Sequence, residues 1–310
     1  MHTHKFPFTL LVFALQLSIF AQTAQSGDTV SLNSAGHESR TYNEIMADGI
    51  DAFYQTDWEG ANKDFELMQQ LVPDDPKGYF FASMIPFWEY FFVKQTPELA
   101  EQFMAESGVA IRVGKEELRK HPDDTAVVAM LSGLYGYQSL VSSGENNIRS
   151  ALRAGRTGFG YTQMLLEYDE NMPEVNIGRG IYHYMVGSVP GALKWLTRLF
   201  GLNGDVETGY SELKKAAESE SHVSADAKMI LAYLYNREER FDESLDYLSA
   251  LREMYQKNTI FHFVYAKTLE NKGDVKKAIE EYNKLIEMDN PNLVQLTEMS
   301  RENRDRLIKE

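Results

Sequence analysis

The amino-acid sequence predicts an all-α protein, a helical-repeat solenoid of about seven antiparallel helix hairpins with a C-terminal capping helix. Its C-terminal third contains one pattern twice, at a spacing of 34 residues. This spacing superposes Ser244 on Ala278 and Leu251 on Leu285, so small and bulky residues recur at fixed positions. Apolar residues elsewhere recur mostly at helical spacing, and only nine prolines interrupt the 310 residues.

The 34-residue period is typical of the tetratricopeptide repeat (TPR), a hairpin whose small residues let its two helices approach closely. We therefore expect a TPR-like domain over residues 40–310. Gly49, Trp58 and Phe65 give the first hairpin the same spacing, and Pro73 follows where a repeat ends. The clearest repeats are expected at residues 42–75, 191–222, 225–256 and 259–290.

The N-terminus has the layout of a secretory signal peptide at residues 1–26. A weakly basic start precedes the apolar run 6–20, and small or polar residues follow it. The run is shorter than the roughly 20 residues that span a bilayer, so we expect cleavage, with an uncleaved membrane anchor as the alternative. Residues 27–39 are polar and are expected to form a tether.

The cysteine content and the net charge limit the cellular locations and the classes of binding partner that are compatible with the sequence. The chain contains no cysteine, which excludes disulfides, thiolate metal sites and a lipid-bearing cysteine. An exported protein without disulfides fits a bacterial periplasm best. The formal net charge of −15 would repel nucleic acid and anionic membrane surfaces, so we expect neither as a partner.

Residues 79–92 form an aromatic segment, with eight aromatic side chains in fourteen positions. Pro86 lies inside it, where we expect a kink or a helix break. One interpretation is a buried helix that is apolar around most of its circumference. The alternative is an aromatic pocket for a hydrophobic ligand, to which Trp88 and Tyr90 would contribute.

The middle of the chain is expected to be helical throughout. Asp123 or Asp124 would cap a helix that runs to about residue 140, and Asp205 lies near the N-terminus of a later one. Glycines at 178, 180, 187 and 209 would allow close helix packing. Helices are expected at residues 97–120, 146–168, 174–186, 191–200 and 206–218, and an amphipathic capping helix at 292–310.

Arginines concentrate in the middle of an otherwise acidic chain. Arg149, Arg153 and Arg156 follow one another at about one helical turn, and Arg179 lies downstream. They could bind an anionic headgroup, a phosphate or an acidic peptide. The alternative is a solvated face that is paired with local Asp and Glu residues.

No arrangement typical of catalysis is present. Histidines 37, 121, 183, 222 and 262 are isolated, so no helical metal-binding pair exists. His183 has an apolar neighbourhood, in which a packed histidine is more common than a catalytic base. The sequence therefore predicts a protein that is not an enzyme and that has no cofactor and no metal site.

Two stretches resemble a particular branch of TPR proteins. Residues 148–158 read IRSALRAGRTG, and residues 176–209 read NIGRGIYHYMVGSVPGALKWLTRLFGLNGDVETG. Their order of helix, proline, leucine-rich helix and Gly-Asx loop resembles tetratricopeptide-repeat family 39 and the related fungal inclusion-body clearance proteins, over roughly residues 42–217. The resemblance implies a helical-repeat scaffold without catalytic residues, and some eukaryotic members are associated with lipid handling. This chain departs from them in its export signal and its shorter length.

Two functions are compatible with these patterns. The first is a scaffold for protein–protein interaction, in which a partner lies in the concave groove of the repeats. The second is a binder of a lipid or a small anionic or apolar ligand. An accessory component of a periplasmic uptake system would combine the two functions. Candidate groove residues are Lys228, Tyr233, Asn236, His262 and Lys267. Candidate ligand-pocket residues are Trp88, Tyr90, Arg149, Arg153, Arg179 and His183.

Overall fold

The computed structural model describes residues 40–168, 172–189, 191, 194–195, 202–221 and 223–310. The expected signal peptide at 1–26, the tether at 27–39 and most of the expected helix at 191–200 lie outside these residues. Within the described ranges the chain is helical and contains no strand. The all-α prediction is therefore confirmed.

Thirteen α-helices and one π-helical turn are present in the described part of the chain. The first half contains α1 (Tyr42–Tyr54), α2 (Trp58–Leu71), α3 (Pro76–Trp88), the π-helical turn (Glu89–Val93), α4 (Pro97–Lys120), α5 (Thr125–Gly144) and α6 (Ile148–Leu165). The second half contains α7 (Pro173–Gly187), α8 (Val206–Ala217), α9 (Val223–Arg237), α10 (Phe241–Met254), α11 (Thr259–Lys272), α12 (Val275–Met288) and α13 (Val294–Lys309).

Helices that follow one another in sequence pack together, as in a helical-repeat solenoid. Such pairs are α1 with α2, α5 with α6, α7 with α8, and each successive pair from α10 to α13. Two pairs of positions related by the 34-residue period are buried in both copies, Ser244 with Ala278 and Leu251 with Leu285, whereas Val275, which is related to Phe241, is 41% exposed. The small residues thus lie at equivalent helix contacts, as the sequence pattern predicts.

The chain forms two compact units. The first unit contains residues from Ala100 to Ala227. The second unit combines the described residues 40–99 with Lys228–Glu310, so the first three helices belong with the C-terminal repeats. Helices that are far apart in the sequence therefore belong to the same unit. The 34-residue period alone does not predict this grouping.

Side-chain caps define where the helices begin. Thr41 and Glu44 form a capping box at α1, in which each side chain bonds the backbone amide of the other residue. Asp124 accepts from the Val127 amide at 3.0 Å and so caps α5, as predicted. Asp205 accepts from the Thr208 amide at 2.8 Å at the start of α8, where its negative charge also favours the helix dipole.

In the first unit, α7 and α8 approach closely at two glycines. A Cβ atom on Gly180 would lie 3.0 Å from the Gly209 carbonyl oxygen. A Cβ atom on Gly209 would lie 2.6 Å from the Tyr184 amide nitrogen. Real Cβ atoms essentially never lie within 3.0 Å of backbone, so this crossing requires glycine at position 209, and a side chain at position 180 would require its neighbours to shift.

The aromatic segment remains helical through Pro86. The proline lies within α3, and the change comes after Trp88, where the chain adopts π-helical geometry. The Lys94 amide donates to the Glu89 carbonyl oxygen at 2.9 Å and so ends this wider turn. A π-helical turn changes which side chains share a face, and this turn contains Tyr90, Phe91 and Phe92.

No helix in the described ranges is both long enough and apolar enough to cross a membrane. In the same ranges, acidic and histidine side chains form no group of three that could hold a metal ion.

Candidate partner-binding site

The candidate groove residues lie on α9 and α11 in the second unit. Tyr233 is half-buried, and its ring centroid lies 6.5 Å from that of Phe91 in the π-helical turn. Burial raises the pKa of the Tyr233 hydroxyl. The side-chain amide of Asn236 donates to the Thr268 hydroxyl on α11. The aromatic segment thus packs against one predicted groove residue, and α11 engages another.

His262 is part of a nearly buried polar cluster with Arg252 and Glu281. The Arg252 guanidinium donates from Nε to His262 Nδ1 at 3.0 Å and from Nη2 to Glu281 Oε2 at 2.7 Å. His262 Nε2 lies 3.2 Å from the Gln256 carbonyl oxygen, and its Nδ1 lies 4.0 Å from Glu281 Oε2. Arg252 also stacks 4.0 Å above the centroid of the Tyr265 ring.

The pKa of the Glu281 carboxyl group reflects the balance of charges in this cluster. Burial by itself would raise the pKa of the Glu281 carboxyl group, but contacts with His262 and Lys284 and the charge of Arg252 outweigh it. The net effect lowers the pKa of Glu281 to about 2. The carboxylate is therefore charged at neutral pH and joins α10, α11 and α12.

Lys267 belongs to a second cluster, centred on Glu270. Glu270 Oε1 accepts from Lys267 Nζ at 2.7 Å and from Arg306 Nη2 at 2.6 Å. Its other oxygen accepts from the Tyr282 hydroxyl at 2.7 Å. These contacts outweigh burial and lower the pKa of Glu270. Lys267 nevertheless remains 42% exposed, and Lys228 is half-buried.

Trp88 and Tyr90, the expected aromatic walls of a ligand pocket, are packed inside the second unit. Trp88 is fully buried, and its ring centroid lies 5.1 Å from that of Phe53 and 6.0 Å from that of Phe261. Tyr90 is 2% exposed. This geometry matches the interpretation of the aromatic segment as a buried packing helix.

Two loops of the second unit are held by the side chains of Asn258 and Thr56, which no sequence pattern identifies. Asn258 is fully buried; its amide donates to the Tyr54 carbonyl oxygen at 2.6 Å, and its oxygen caps α11 at the Phe261 amide. Thr56 is also buried, at a positive φ of 58° that side-chain-bearing residues rarely adopt. Its hydroxyl accepts from the Asn290 amide at 2.8 Å.

The basic residues of the expected ligand pocket lie in the first unit, whereas Trp88 and Tyr90 belong to the second. Arg149 and Arg153 are exposed on α6. Arg179 and His183 are half-buried, one turn apart on α7. Burial and the charge of Arg179 lower the pKa of His183, whose ring also makes an edge contact with Tyr182.

Comparison with known proteins supports the repeat architecture. Residues 172–305 match the model of a family described as Iml2/Tetratricopeptide repeat protein 39. The match spans α7 to most of α13 and confirms that this is a TPR-like protein related to that family, as the resemblance of residues 176–209 indicates. Residues 148–158 lie outside the matched range. No curated protein gives a significant match to the chain.

Proposed function

We propose that this protein is an exported, non-enzymatic helical-repeat scaffold that holds a protein partner, with a bacterial periplasm as its location. The observation that carries the proposal is the burial of the period-related residues Ser244, Ala278, Leu251 and Leu285 at equivalent helix contacts. Repeats of this kind present adjacent helix faces as one extended surface, which is suited to holding a peptide or a helix.

The proposed surface includes the exposed parts of α9 and α11. Lys267, which is 42% exposed, and Lys228, which is half-buried, lie on these helices. The His262 and Glu270 clusters hold α11 against its neighbours, which favours a surface of defined shape. A surface that is ordered before binding loses less entropy when a partner docks.

Export and partner binding are tested separately. Residues 1–26 fused to alkaline phosphatase, an enzyme active only outside the cytoplasm, should give activity, and mass spectrometry should find a mature chain that begins near residue 22 or 27. Affinity purification of the mature protein should then recover one protein at a constant ratio. Lys228→Glu together with Lys267→Glu should reduce that recovery, whereas Lys63→Glu on α2 should not. Absence of any such protein would count against the scaffold.

A second candidate function, the binding of a small anionic ligand, is favoured by one observation on α7. His183 Nδ1 is buried without a hydrogen-bond partner in the described residues, one turn after Arg179. Native mass spectrometry of the purified protein should then show a bound small molecule that His183→Phe releases. Spectra that contain only the bare chain would eliminate this function and leave the scaffold untouched.

A further inference from the structure

The outer face of α6 carries two adjacent ridges, one basic and one apolar. The buried face of the helix is formed by Ala151, Ala154, Gly158, Thr162 and Leu165. Arg149, Arg153 and Arg156 lie opposite, at helical spacing, and all three are exposed. Beside them, Ile148 and Leu152 are 57% and 67% exposed, one helical turn apart.

Among the described residues, no acidic side chain pairs with these arginines. The sequence of α6 contains no acidic residue, and the three arginines form no ion pair with any part of the chain that the structure describes. Arg149 lies in the first helical turn, where a positive charge opposes the helix dipole. The net charge of the chain is −15, and no ion-pair partner for the three arginines lies among the described residues. A contribution to helix stability therefore does not explain why they are there.

Gly160 lies on the same exposed stripe, where no described residue packs closely enough to require a glycine. A Cβ atom at Gly160 would meet nothing within 4 Å. At Gly158, by contrast, a Cβ atom would lie 3.2 Å from the Ser132 carbonyl oxygen, so α5 explains that glycine. A glycine that exposes helix backbone to solvent costs stability, but it allows another helix to approach closely.

We propose that the outer face of α6 docks an acidic amphipathic helix of a protein partner. Carboxylates at matching helical spacing would pair with Arg149, Arg153 and Arg156, because guanidinium groups bind carboxylates in a bidentate geometry. Apolar residues of the same helix would cover Ile148 and Leu152, and its backbone would cross at Gly160. A membrane is less well matched, since the apolar ridge is short and the protein is strongly acidic.

The inference rests on the proposed scaffold function, because it names the class of partner. The probe is a synthetic helical peptide as long as α6, with glutamates and leucines on adjacent ridges, labelled for fluorescence anisotropy. A peptide of identical composition in scrambled order is the control for charge alone. We expect saturable one-to-one binding of the patterned peptide to the mature protein, with an affinity about tenfold or more above that of the scrambled peptide.

Three variants locate the binding. Arg149→Glu with Arg153→Glu should abolish binding, and the more conservative Arg153→Gln should weaken it while retaining helix content by circular dichroism. Gly160→Leu should raise the thermal midpoint, because leucine favours helix, and yet weaken binding. Gly108→Leu is its matched control, since a Cβ atom at Gly108 also meets nothing within 4 Å, and it should leave binding unchanged.

Equal binding of both peptides, or binding that survives the arginine reversals, would overturn the inference. Sedimentation with phosphatidylglycerol vesicles that depends on the same arginines, without peptide binding, would also overturn it and assign the face to a membrane. If the Lys228 and Lys267 variants lose the affinity-purified partner while they still bind the peptide, that result would support two separate sites, one on α9 and α11 and one on α6. If only the peptide-binding tests at α6 give the contrary result, the proposed scaffold function is not contradicted.

Discussion

The side-chain amide of Asn258 donates to the backbone carbonyl oxygen of Tyr54 at 2.6 Å, across 204 positions of sequence. The two residues belong to the second unit, in which the N-terminal hairpin packs with the C-terminal repeats. The Tyr54 ring also stacks on Tyr255, with the centroids 4.8 Å apart. The end of α1 and the residue that precedes α11 are therefore in direct contact within this unit.

Asn258→Ala should destabilise the second unit by about 2–3 kcal/mol, because it removes the cap of α11 and leaves a buried carbonyl without its donor. Urea denaturation followed by circular dichroism measures the change. Asn283→Ala, at an exposed position on α12, is the control and should change the free energy of unfolding by less than about 0.5 kcal/mol. Equal effects of the two substitutions would show that the contact between Asn258 and Tyr54 does not stabilise the unit.

Thr56→Val should destabilise the protein by about 1–3 kcal/mol. Valine keeps the shape and the β-branching of threonine, so the backbone strain at positive φ is unchanged and only the hydroxyl contacts are lost. Thr157→Val on α6 removes a hydroxyl that bonds within a solvent-exposed helix face and should have little effect. A neutral Thr56→Val variant would show that the Asn290 contact does not stabilise the fold.

Glu281 should make stability depend on pH in the acidic range. Its pKa is lowered from 4.5 to about 2 in the folded protein, so its contribution is complete above pH 4.5 and is lost as the pH falls towards 2. At neutral pH this contribution is at most about 3 kcal/mol. Glu281→Gln should lower the free energy of unfolding at neutral pH and flatten its acidic decline. Glu280→Gln, on the exposed side of α12, should preserve the wild-type decline.

Gly209→Ala should destabilise the first unit by about 1–3 kcal/mol, because the new methyl group would overlap α7 backbone. Gly160→Ala is the matched contrast in the same unit, with open space around the new methyl group, and should stabilise by about 1 kcal/mol. Thermal unfolding of both variants tests the pair. The same sign for both would mean that the α7–α8 crossing tolerates a side chain.

The features that depend on local sequence were predictable, and those that depend on distant segments were not. The burial of Ser244 and Ala278 follows from a period of 34 residues, and the Asp205 cap follows from its place before a helix. Thr56 gives no comparable signal, because threonine is not a residue that sequence rules place at positive φ. Its conformation is stabilised by Asn290, which lies 234 positions away.

The candidate groove shows the same limit. The sequence predicts that Asn236 and His262 lie on first helices of the repeats at positions not used in packing, but both side chains contact neighbouring helices. For Tyr233, the contact comes from the aromatic segment near the other end of the chain. Periodicity identifies which helix a residue occupies, whereas only the packed structure identifies the neighbours that contact its side chain.

Site-specific photo-crosslinking in the cells that make this protein is the most direct test of partner binding. A photoreactive amino acid is introduced separately at Leu152 on α6, at Lys267 on α11 and at the exposed control position Lys63 on α2. A scaffold that holds a partner predicts one protein that crosslinks reproducibly at Leu152 or Lys267 and not at Lys63. No protein adduct at Leu152 and Lys267, or the same adducts at all three positions, would contradict it.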